Sequence, residues 1–153
     1  FGGGSLLDIG IYPVFLALHT LGMPAKIDAK AKLGKTAVDE NCDVIFTYPD
    51  NVKADLRSSI IENTPTTAVF ELEKASIKIA SKWHEPSTVS VTTVDGTETK
   101  TFEAASFGYE YEAKHVQQML RQGRTESDKM TFSKSLDLIS LLDQIRKEIK
   151  LEY

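Results

Sequence analysis

The sequence lacks the residues from which disulfides and cysteine-based metal sites are made. Cys42 is the one cysteine among 153 residues, which excludes an internal disulfide, and none of the three histidines stands at a metal-ligand spacing from it. We therefore expect no metal site and interpret Cys42 as a half-buried strand residue. No charged leader segment with a cleavage site is present either, and these absences together predict a reducing, cytoplasmic setting.

Positive charge and long apolar runs are also scarce. Lys and Arg number 18 against 22 Asp and Glu, which gives a formal net charge of -4, and the basic residues form no stripe. This excludes a sequence-independent nucleic-acid or anionic-membrane surface, because such a surface needs clustered Lys and Arg. The most apolar segment, residues 9–23, is shorter than the roughly 20 residues that span a bilayer. We expect a core helix there, and neither a nucleic-acid nor a membrane partner.

The residues that are present suit one soluble domain, which we expect to comprise residues 1–153, since 41% are hydrophobic and 26% are charged. Its first predicted element is a helix from Ser5 to Leu21. Ser5 is placed as N-cap with Asp8 reaching back to it in a capping box, and Gly22 ends the helix. Pro13 removes one backbone donor inside this helix, so a kink is expected near Asp8.

The middle of the chain alternates apolar and polar residues with the period of strands. Tight turns at Tyr48-Pro49-Asp50-Asn51 and at Asp95-Gly96 predict antiparallel hairpins. The predicted strands are those that contain Ile27 to Leu33, Cys42 to Tyr48, Val52 to Ile60, Thr66 to Leu72, Ser76 to Ala80, Thr88 to Val94 and Glu98 to Phe102.

Helical spacing returns in the last third of the chain in two apolar stripes. The first contains Tyr109, Ala113, Val116, Met119 and Leu120 and ends near Gly123; the second contains Leu136, Ile139, Leu142, Ile145 and Ile149. Strands bracketed by helices indicate an α+β fold, which we expect to be a large open, mainly antiparallel sheet with helices packed on one face.

The most informative pair for function is Asp8 and Tyr12, which stand four residues apart behind Gly2-Gly3-Gly4. Residues at this spacing on a helix have Cβ atoms about 5 to 6 Å apart, so both side chains can act on one bound molecule. A phenol near a carboxylate suits proton transfer. An ionised carboxylate disfavours the phenolate, however, so a Tyr that works as a base here needs a cation from elsewhere. The alternative is that Asp8 is a helix-start carboxylate and Tyr12 a packed aromatic.

The segment Gly-Gly-Gly-Ser-Leu-Leu-Asp-Ile-Gly-Ile-Tyr-Pro resembles the start of the C-terminal domain in the glucose-fructose oxidoreductase, inositol dehydrogenase and MocA family. Its Asp-x-Gly-x-Tyr form is similar to the dihydrodiol dehydrogenase, NADP-dependent xylose dehydrogenase and glucose-fructose oxidoreductase branch. The resemblance extends over essentially the whole chain. Residues 34–43 resemble the family's Thr-Gly-Val-Asp stretch, residues 108–115 its Gly-Tyr, Glu-Ala and His helix, and residues 123–127 with 135–146 its closing segments.

The resemblance implies the C-terminal substrate-binding and oligomerising domain of an NAD(P)-dependent oxidoreductase that acts on a sugar, polyol or related CH–OH group. It implies a partner Rossmann domain on the N-terminal side of the same protein that binds NAD or NADP, and a homo-oligomer, a dimer, formed through the sheet face. In relatives the required cation is the Lys of a Glu-Lys-Pro motif on the Rossmann domain. This sequence has neither that motif nor a dinucleotide-binding glycine loop, so we expect the fragment alone to be inactive.

The resemblance also assigns roles to individual residues. Tyr12 matches the catalytic acid/base and Asp8 the carboxylate that helps to orient the substrate and the Tyr. Gly3 and Gly4 are expected to admit close approach of the nicotinamide end of the cofactor or of the neighbouring domain. Three further residues are substrate-binding candidates. They are His19, which lies seven residues after Tyr12 on a similar helix face, His115, whose counterpart accompanies the site in relatives, and Trp83, which lies in a segment that lines the pocket or an interface.

Plainer interpretations of two of these residues remain open. His19 also fits a core or interface histidine, and Trp83 also fits a contact surface. Two other functions remain open for the chain as a whole. One is a non-catalytic relative that senses ligands or binds proteins, as the galactose-pathway regulatory members do, and the other is a freestanding ligand-binding module.

Overall fold

The computed structural model describes residues 3–103 and 108–152. Leu6–Gly10 form a π-helical turn, which is followed by a helix, seven strands and two further helices. A 3-10 turn, Pro49–Asn51, lies in the hairpin between the second and third strands. The bounds are Ile11–Leu21 for α1, Lys26–Leu33 for β1, Asp39–Thr47 for β2, Lys53–Ser59 for β3, Ala68–Glu71 for β4, Ala75–Ile79 for β5, Thr88–Thr93 for β6, Gly96–Thr101 for β7, Tyr109–Arg121 for α2 and Phe132–Glu148 for α3.

The chain divides into two compact units, and each has its own sheet. The first unit, Phe1–Thr64 with Asp128–Tyr153, contains β1 to β3, the π-helical turn, α1 and α3. The second unit, Pro65–Ser127, contains β4 to β7 and α2. A single domain that includes both units stays a prediction.

Every strand pairing among the described residues is antiparallel, as the turn chemistry predicted. The sheet of the first unit has the order β1-β2-β3 and that of the second the order β4-β5-β6-β7. The α+β class with antiparallel pairing is thus confirmed, but hydrogen bonds join the strands into two sheets rather than one. The hairpin predictions are correct as well, since Thr47 pairs with Lys53 and Thr93 with Gly96.

The core of the first unit lies between one face of its sheet and the helices α1 and α3. Alternate residues of β2 face inwards, and Phe46 is completely buried. Cys42, which was expected to be half-buried, is only 1% exposed. The helices are therefore packed on one face of this sheet, as expected. The core side chains are Leu6, Val14, Ala17, Leu18, Cys42, Val44, Phe46, Tyr48, Leu138, Leu141, Leu142 and Ile145.

The predicted inner stripe of α3 is only half correct. Leu142 and Ile145 are buried, but Leu136 and Ile139 are 70% and 52% exposed. Successive members of that stripe are mostly three residues apart, and three residues of an α-helix fall short of a full turn by about 60°, so the stripe winds around the helix. The buried set follows the 3.6-residue period instead, and its members are Leu138, Leu141, Leu142 and Ile145.

The inner stripe predicted for α2 is buried at one position only. Met119 is 6% exposed, whereas Tyr109, Val116 and Leu120 are 72%, 55% and 67% exposed. The helix itself and its end near Gly123 are confirmed, because Gly123 has a φ of +69° and the N–H of Arg124 donates to the carbonyl of Met119. The error therefore concerns packing and not secondary structure. None of the helices described is long and apolar enough to cross a membrane.

Candidate functional site

The helix that carries Asp8 and Tyr12 begins differently from the capping box that the sequence predicted. Ser5 has helical dihedral angles and makes no capping hydrogen bond with its side chain. The main-chain N–H of Leu6 instead donates to Oδ2 of Asp39, with an N···O distance of 2.6 Å. Ser5 is fully buried, and its hydroxyl donates to Oγ of Ser58 at 2.6 Å. Two residues distant in sequence thus anchor the first turn to the sheet of the first unit.

The conformation of Gly4 and its contact with Asp39 both require a glycine at this position. Its φ is +110°, and a Cβ atom at this position would overlap Oδ1 of Asp39. Gly3 differs, since none of the described residues other than Gly3 and its chain neighbours lies within 4 Å of the place where its Cβ would be. The space at the Cβ position of Gly3 is thus compatible with the predicted approach of a cofactor, whereas the corresponding space at Gly4 is filled by Asp39. Cofactor binding at either glycine stays a prediction.

Asp8 and Tyr12 both lie on the solvent side of this helix. Asp8 is exposed and Tyr12 is 48% exposed, while Leu6 and Val14 of the same helix are buried. Tyr12 is therefore not a packed core aromatic. The residues of the π-helical turn advance less around the axis per residue than those of an α-helix, in which four residues overshoot a full turn by about 40°. The turn therefore brings Asp8 and Tyr12 closer to one line along the helix.

His19 lies on the same side of the helix as Tyr12, because seven residues of α-helix end within about 20° of the starting direction. Its imidazole is exposed and stacks on Phe15, with ring centroids 5.7 Å apart and planes 12° from parallel. Nζ of Lys134 lies 3.3 Å from Nδ1 of His19. An ammonium group can only donate, so Nδ1 is the acceptor and the ring proton is on Nε2. In this tautomer the ring, which is stacked on Phe15, presents Nε2–H as a donor.

Trp83 and His115 belong to the second unit. Trp83 is half-buried in the connection between β5 and β6, where its ring meets that of His84 edge-on at 5.7 Å. Nε2 of His115 and Oγ of Ser127 are 2.8 Å apart. The place of Trp83 and His115 in a substrate site stays a prediction.

Burial raises the pKa values of two groups beneath the helix, the Asp39 carboxyl group and the Cys42 thiol. It raises the pKa of Asp39 above its ordinary value, and the N–H of Leu6 offsets only part of that effect. Within residues 3–103 and 108–152, Oδ1 of Asp39 has no hydrogen-bond partner, which adds to the cost of ionisation. Burial, together with the negative charges of Asp39 and Asp43, also raises the pKa of the Cys42 thiol to about 12. Cys42 is therefore not a candidate nucleophile.

A surface cavity of about 330 Å³ lies at the other end of α1, between the start of β1 and the end of α3. Its lining contains none of the predicted site residues. In the part of the chain that the structure describes, no cluster of three or more His, Cys, Asp or Glu could hold a metal ion.

The residue that sequence reasoning missed is Asp39. It lies in the segment that resembles the family's Thr-Gly-Val-Asp stretch, but its distance from Ser5 in the sequence hides its role at the helix start. A signal was present in its position, since Asp is a preferred capping residue and the three glycines leave room for a second segment to approach.

Comparison with known proteins gives consistent results. Residues 1–78 match the family described as GFO/IDH/MocA C-terminal domain. Trans-1,2-dihydrobenzene-1,2-diol dehydrogenase of Mus musculus is 33% identical over 159 residues, which cover 96% of this chain and 46% of that protein. The scyllo-inositol 2-dehydrogenase (NADP(+)) of Bacillus subtilis is 28% identical and is matched over 98% of this chain and 45% of its own length.

Solved structures share the fold. A 3-ketoreductase from Actinomadura kijaniata, in complex with NADP and TDP-benzene, superposes with a TM-score of 0.81 at 22% identity, which covers 97% of this chain and 46% of that one. The chain thus spans about half the length of the curated relatives it matches.

Proposed function

The chain belongs to the GFO/IDH/MocA C-terminal domain family, and we propose that it is the substrate-binding part of an NAD(P)-dependent oxidoreductase that acts on a CH–OH group of a sugar, polyol or diol. The observation that carries this proposal is the exposed phenol of Tyr12, in line with Asp8 on a helix anchored from below. Relatives named as diol and inositol dehydrogenases support the reaction class.

In the proposed reaction the substrate hydroxyl lies against Tyr12. As a phenolate, Tyr12 accepts the hydroxyl proton while the C–H hydride leaves the same carbon, and in the reverse direction the neutral phenol returns that proton to the carbonyl oxygen. Asp8 accepts a hydrogen bond from the substrate and fixes its position next to the phenol. A nicotinamide supplies the hydride acceptor, and the room beside Gly3 is compatible with its close approach.

His19 is proposed to bind the far end of the substrate. Seven residues of α-helix rise by about 10 Å, which is longer than one sugar ring, so Nε2–H of His19 suits an acceptor oxygen on an extended or substituted substrate. With Lys134 as the donor to Nδ1, Nε2–H is the donor that His19 presents to the substrate. Trp83 and His115 remain candidates for further substrate contacts.

The groups that this sequence does not supply are proposed to come from a Rossmann domain in the same polypeptide. Those groups are the dinucleotide-binding loop and the cation that a tyrosine base requires. The matched relatives are about twice as long as this chain, which supports the proposal. NADP is the cofactor to test first, because one relative is named for it and a structural neighbour is bound to it. Residues 1–153 alone are expected to be inactive.

The sheet of the second unit is proposed to pair with a second copy. Phe70, Ile77 and Val91 are aligned in neighbouring strands and therefore point to one face of this sheet. None of the three is fully buried. Light scattering on the full-length protein tests the proposal: a dimer that becomes a monomer in Val91→Lys supports it, and a monomeric wild type refutes it.

The test of the enzymatic proposal uses the full-length protein, NADP or NAD, and a panel of trans-diols, aldoses and inositols. Wild type is expected to reduce the cofactor with at least one substrate, and Tyr12→Phe to lower kcat by roughly 100- to 10,000-fold. Tyr111→Phe is the matched control, since Tyr111 is also an exposed helical tyrosine. Ligand binding without any cofactor reduction would favour the non-catalytic alternative and refute the proposal.

A further inference from the structure

Asp39 is oriented by an irregularity in its strand. Along β1, Lys32 pairs with Asn41 but Leu33 pairs with Asp39, so Glu40 is an extra residue in β2. Side chains alternate along a regular strand, which would place Asp39 opposite to Cys42, Val44 and Phe46. One inserted residue reverses that alternation, and Asp39 is fully buried on the same side as Cys42. The bulge therefore directs a carboxyl group to the start of the helix.

The first turn of the helix is bound by Asp39 through two neighbouring contacts. Oδ2 of Asp39 accepts the Leu6 N–H at 2.6 Å, and Oδ1 occupies the space that a side chain at Gly4 would need. Four residues after Leu6, Gly10 approaches the sheet so closely that a Cβ there would lie 3.0 Å from Oγ of Ser58. The buried side of the turn is thus fixed at both ends.

The exposed side of the same turn carries the proposed catalytic groups. Asp8 and Tyr12 point towards solvent, so the position of the phenol depends on how the buried side of its helix is held. The contacts that the structure gives between Asp39 and this segment are with the N–H of Leu6 and with Gly4, on its buried side. We therefore expect an effect of Asp39 on catalysis to pass through the position of the helix.

We propose that Asp39 is a positioning residue for Tyr12: the β2 bulge presents its carboxyl group to Leu6 N–H and Gly4, and this contact sets the place of the phenol against the substrate. The inference rests on the proposed function. A displacement of about 1 Å at a reacting group is enough to lower a rate by roughly 100-fold.

The test compares Asp39→Ala and Asp39→Asn in the full-length protein, with Asp43→Ala as matched control. Asp43 lies on the same strand but is exposed, and it pairs with Arg57 at 3.5 Å. Asp39→Ala removes the acceptor for Leu6 N–H, so kcat is expected to fall by roughly 10- to 100-fold while KM for the cofactor stays unchanged. Asp39→Asn keeps an acceptor oxygen and is expected to restore kcat to within about threefold of wild type, since it retains the contact that sets the geometry.

A role confined to stability would give a different result. In that case kcat per folded molecule would be the same in Asp39→Ala as in Asp43→Ala, and this outcome overturns the proposal. A kcat of Asp39→Asn as low as that of Asp39→Ala overturns it as well. If Asp39→Ala does not fold, Asp39→Glu takes its place, because its carboxyl group is displaced by one methylene; a kcat equal to that of wild type would then overturn the proposal.

A second readout separates this inference from the proposed function. With fluorotyrosine incorporated, the ¹⁹F signal of Tyr12 is expected to move in Asp39→Ala and to stay in place in Asp39→Asn and Asp43→Ala. If Tyr12→Phe leaves kcat unchanged, the catalytic role of the phenol is wrong, but the ¹⁹F shift still tests whether Asp39 sets its position. An unmoved signal in Asp39→Ala refutes the positioning role.

Discussion

Replacing Asp39 by asparagine is expected to change how the stability of the protein depends on pH. Asp39 is fully buried, one of its oxygens accepts the Leu6 N–H, and within the described residues the other has no partner. Burial raises the pKa of this carboxyl group above its ordinary value of 3.8. Below 3.8 the group is protonated in both the folded and the unfolded wild type, so its contribution to stability is complete there.

Above pH 3.8 the Asp39 carboxyl group loses its proton in the unfolded chain but keeps it in the folded wild type. The contribution of Asp39 to the free energy of unfolding of wild type therefore falls by up to about 1.4 kcal/mol per pH unit, until the pH has passed the raised folded-state pKa of Asp39. The side-chain amide of the Asp39→Asn variant does not titrate, so this variant loses nothing in the same window. Its stability relative to wild type is thus expected to increase as the pH rises.

Urea unfolding of both proteins at a series of pH values between 4 and 8 measures this difference, with ΔG taken from linear extrapolation. The other carboxyl groups contribute equally to both proteins and cancel in the difference. A difference in ΔG that is constant from pH 4 to pH 8 would contradict this prediction, because it would mean that burial does not make the carboxyl group a weaker acid.

Three further predictions follow from single contacts. Gly4→Ala is expected to destabilise the protein by about 1 to 3 kcal/mol from the positive φ alone, and by more because the new Cβ overlaps Asp39. Thr131→Ala removes the cap of α3, whose hydroxyl accepts from the Lys134 N–H at 3.2 Å, and is expected to cost about 1 kcal/mol. Both losses are measured by urea unfolding. Cys42 is expected to resist a thiol reagent in the native protein and to react quickly in urea, because its thiol is buried with a pKa near 12.

Each of the two stability predictions has a matched control variant. Gly22→Ala has a positive φ without a neighbour at the Cβ position, so an equal loss in Gly4→Ala would mean that the overlap with Asp39 costs nothing. Ser133→Ala, on the neighbouring exposed position of α3, should change ΔG less than Thr131→Ala. For the thiol, rapid labelling of Cys42 without denaturant would contradict its burial.

Local patterns in the sequence were sufficient for the strands and turns. The alternation of Cys42, Val44 and Phe46 predicts a half-buried strand, and Pro49-Asp50 predicts a tight turn. Both predictions succeed because each structure depends on neighbouring residues only. The stripe of α3 failed because Leu and Ile occupy two overlapping faces of that helix. Leu138 and Leu141 are buried, whereas Leu136 and Ile139 are exposed, and only tertiary packing selects between the two faces.

The candidate site was predictable in its exposed residues but not in its support. Asp8 and Tyr12 were identified from their spacing and from the resemblance of their segment, and the structure places both on one accessible helix face. The capping group was assigned to Ser5 because a local rule favours it. The actual group, Asp39, is brought there by a bulge at Glu40 in a strand more than thirty residues away, and no local pattern encodes that pairing.

The most direct test of the central claim is the rate of hydride transfer in a single turnover of the full-length protein, measured for wild type and for Tyr12→Phe with saturating cofactor and substrate. If Tyr12 is the acid/base, the transfer rate falls by at least about 100-fold, while the cofactor binds with unchanged affinity. An unchanged transfer rate in Tyr12→Phe would contradict the account, because the proton would then reach or leave the substrate by another group.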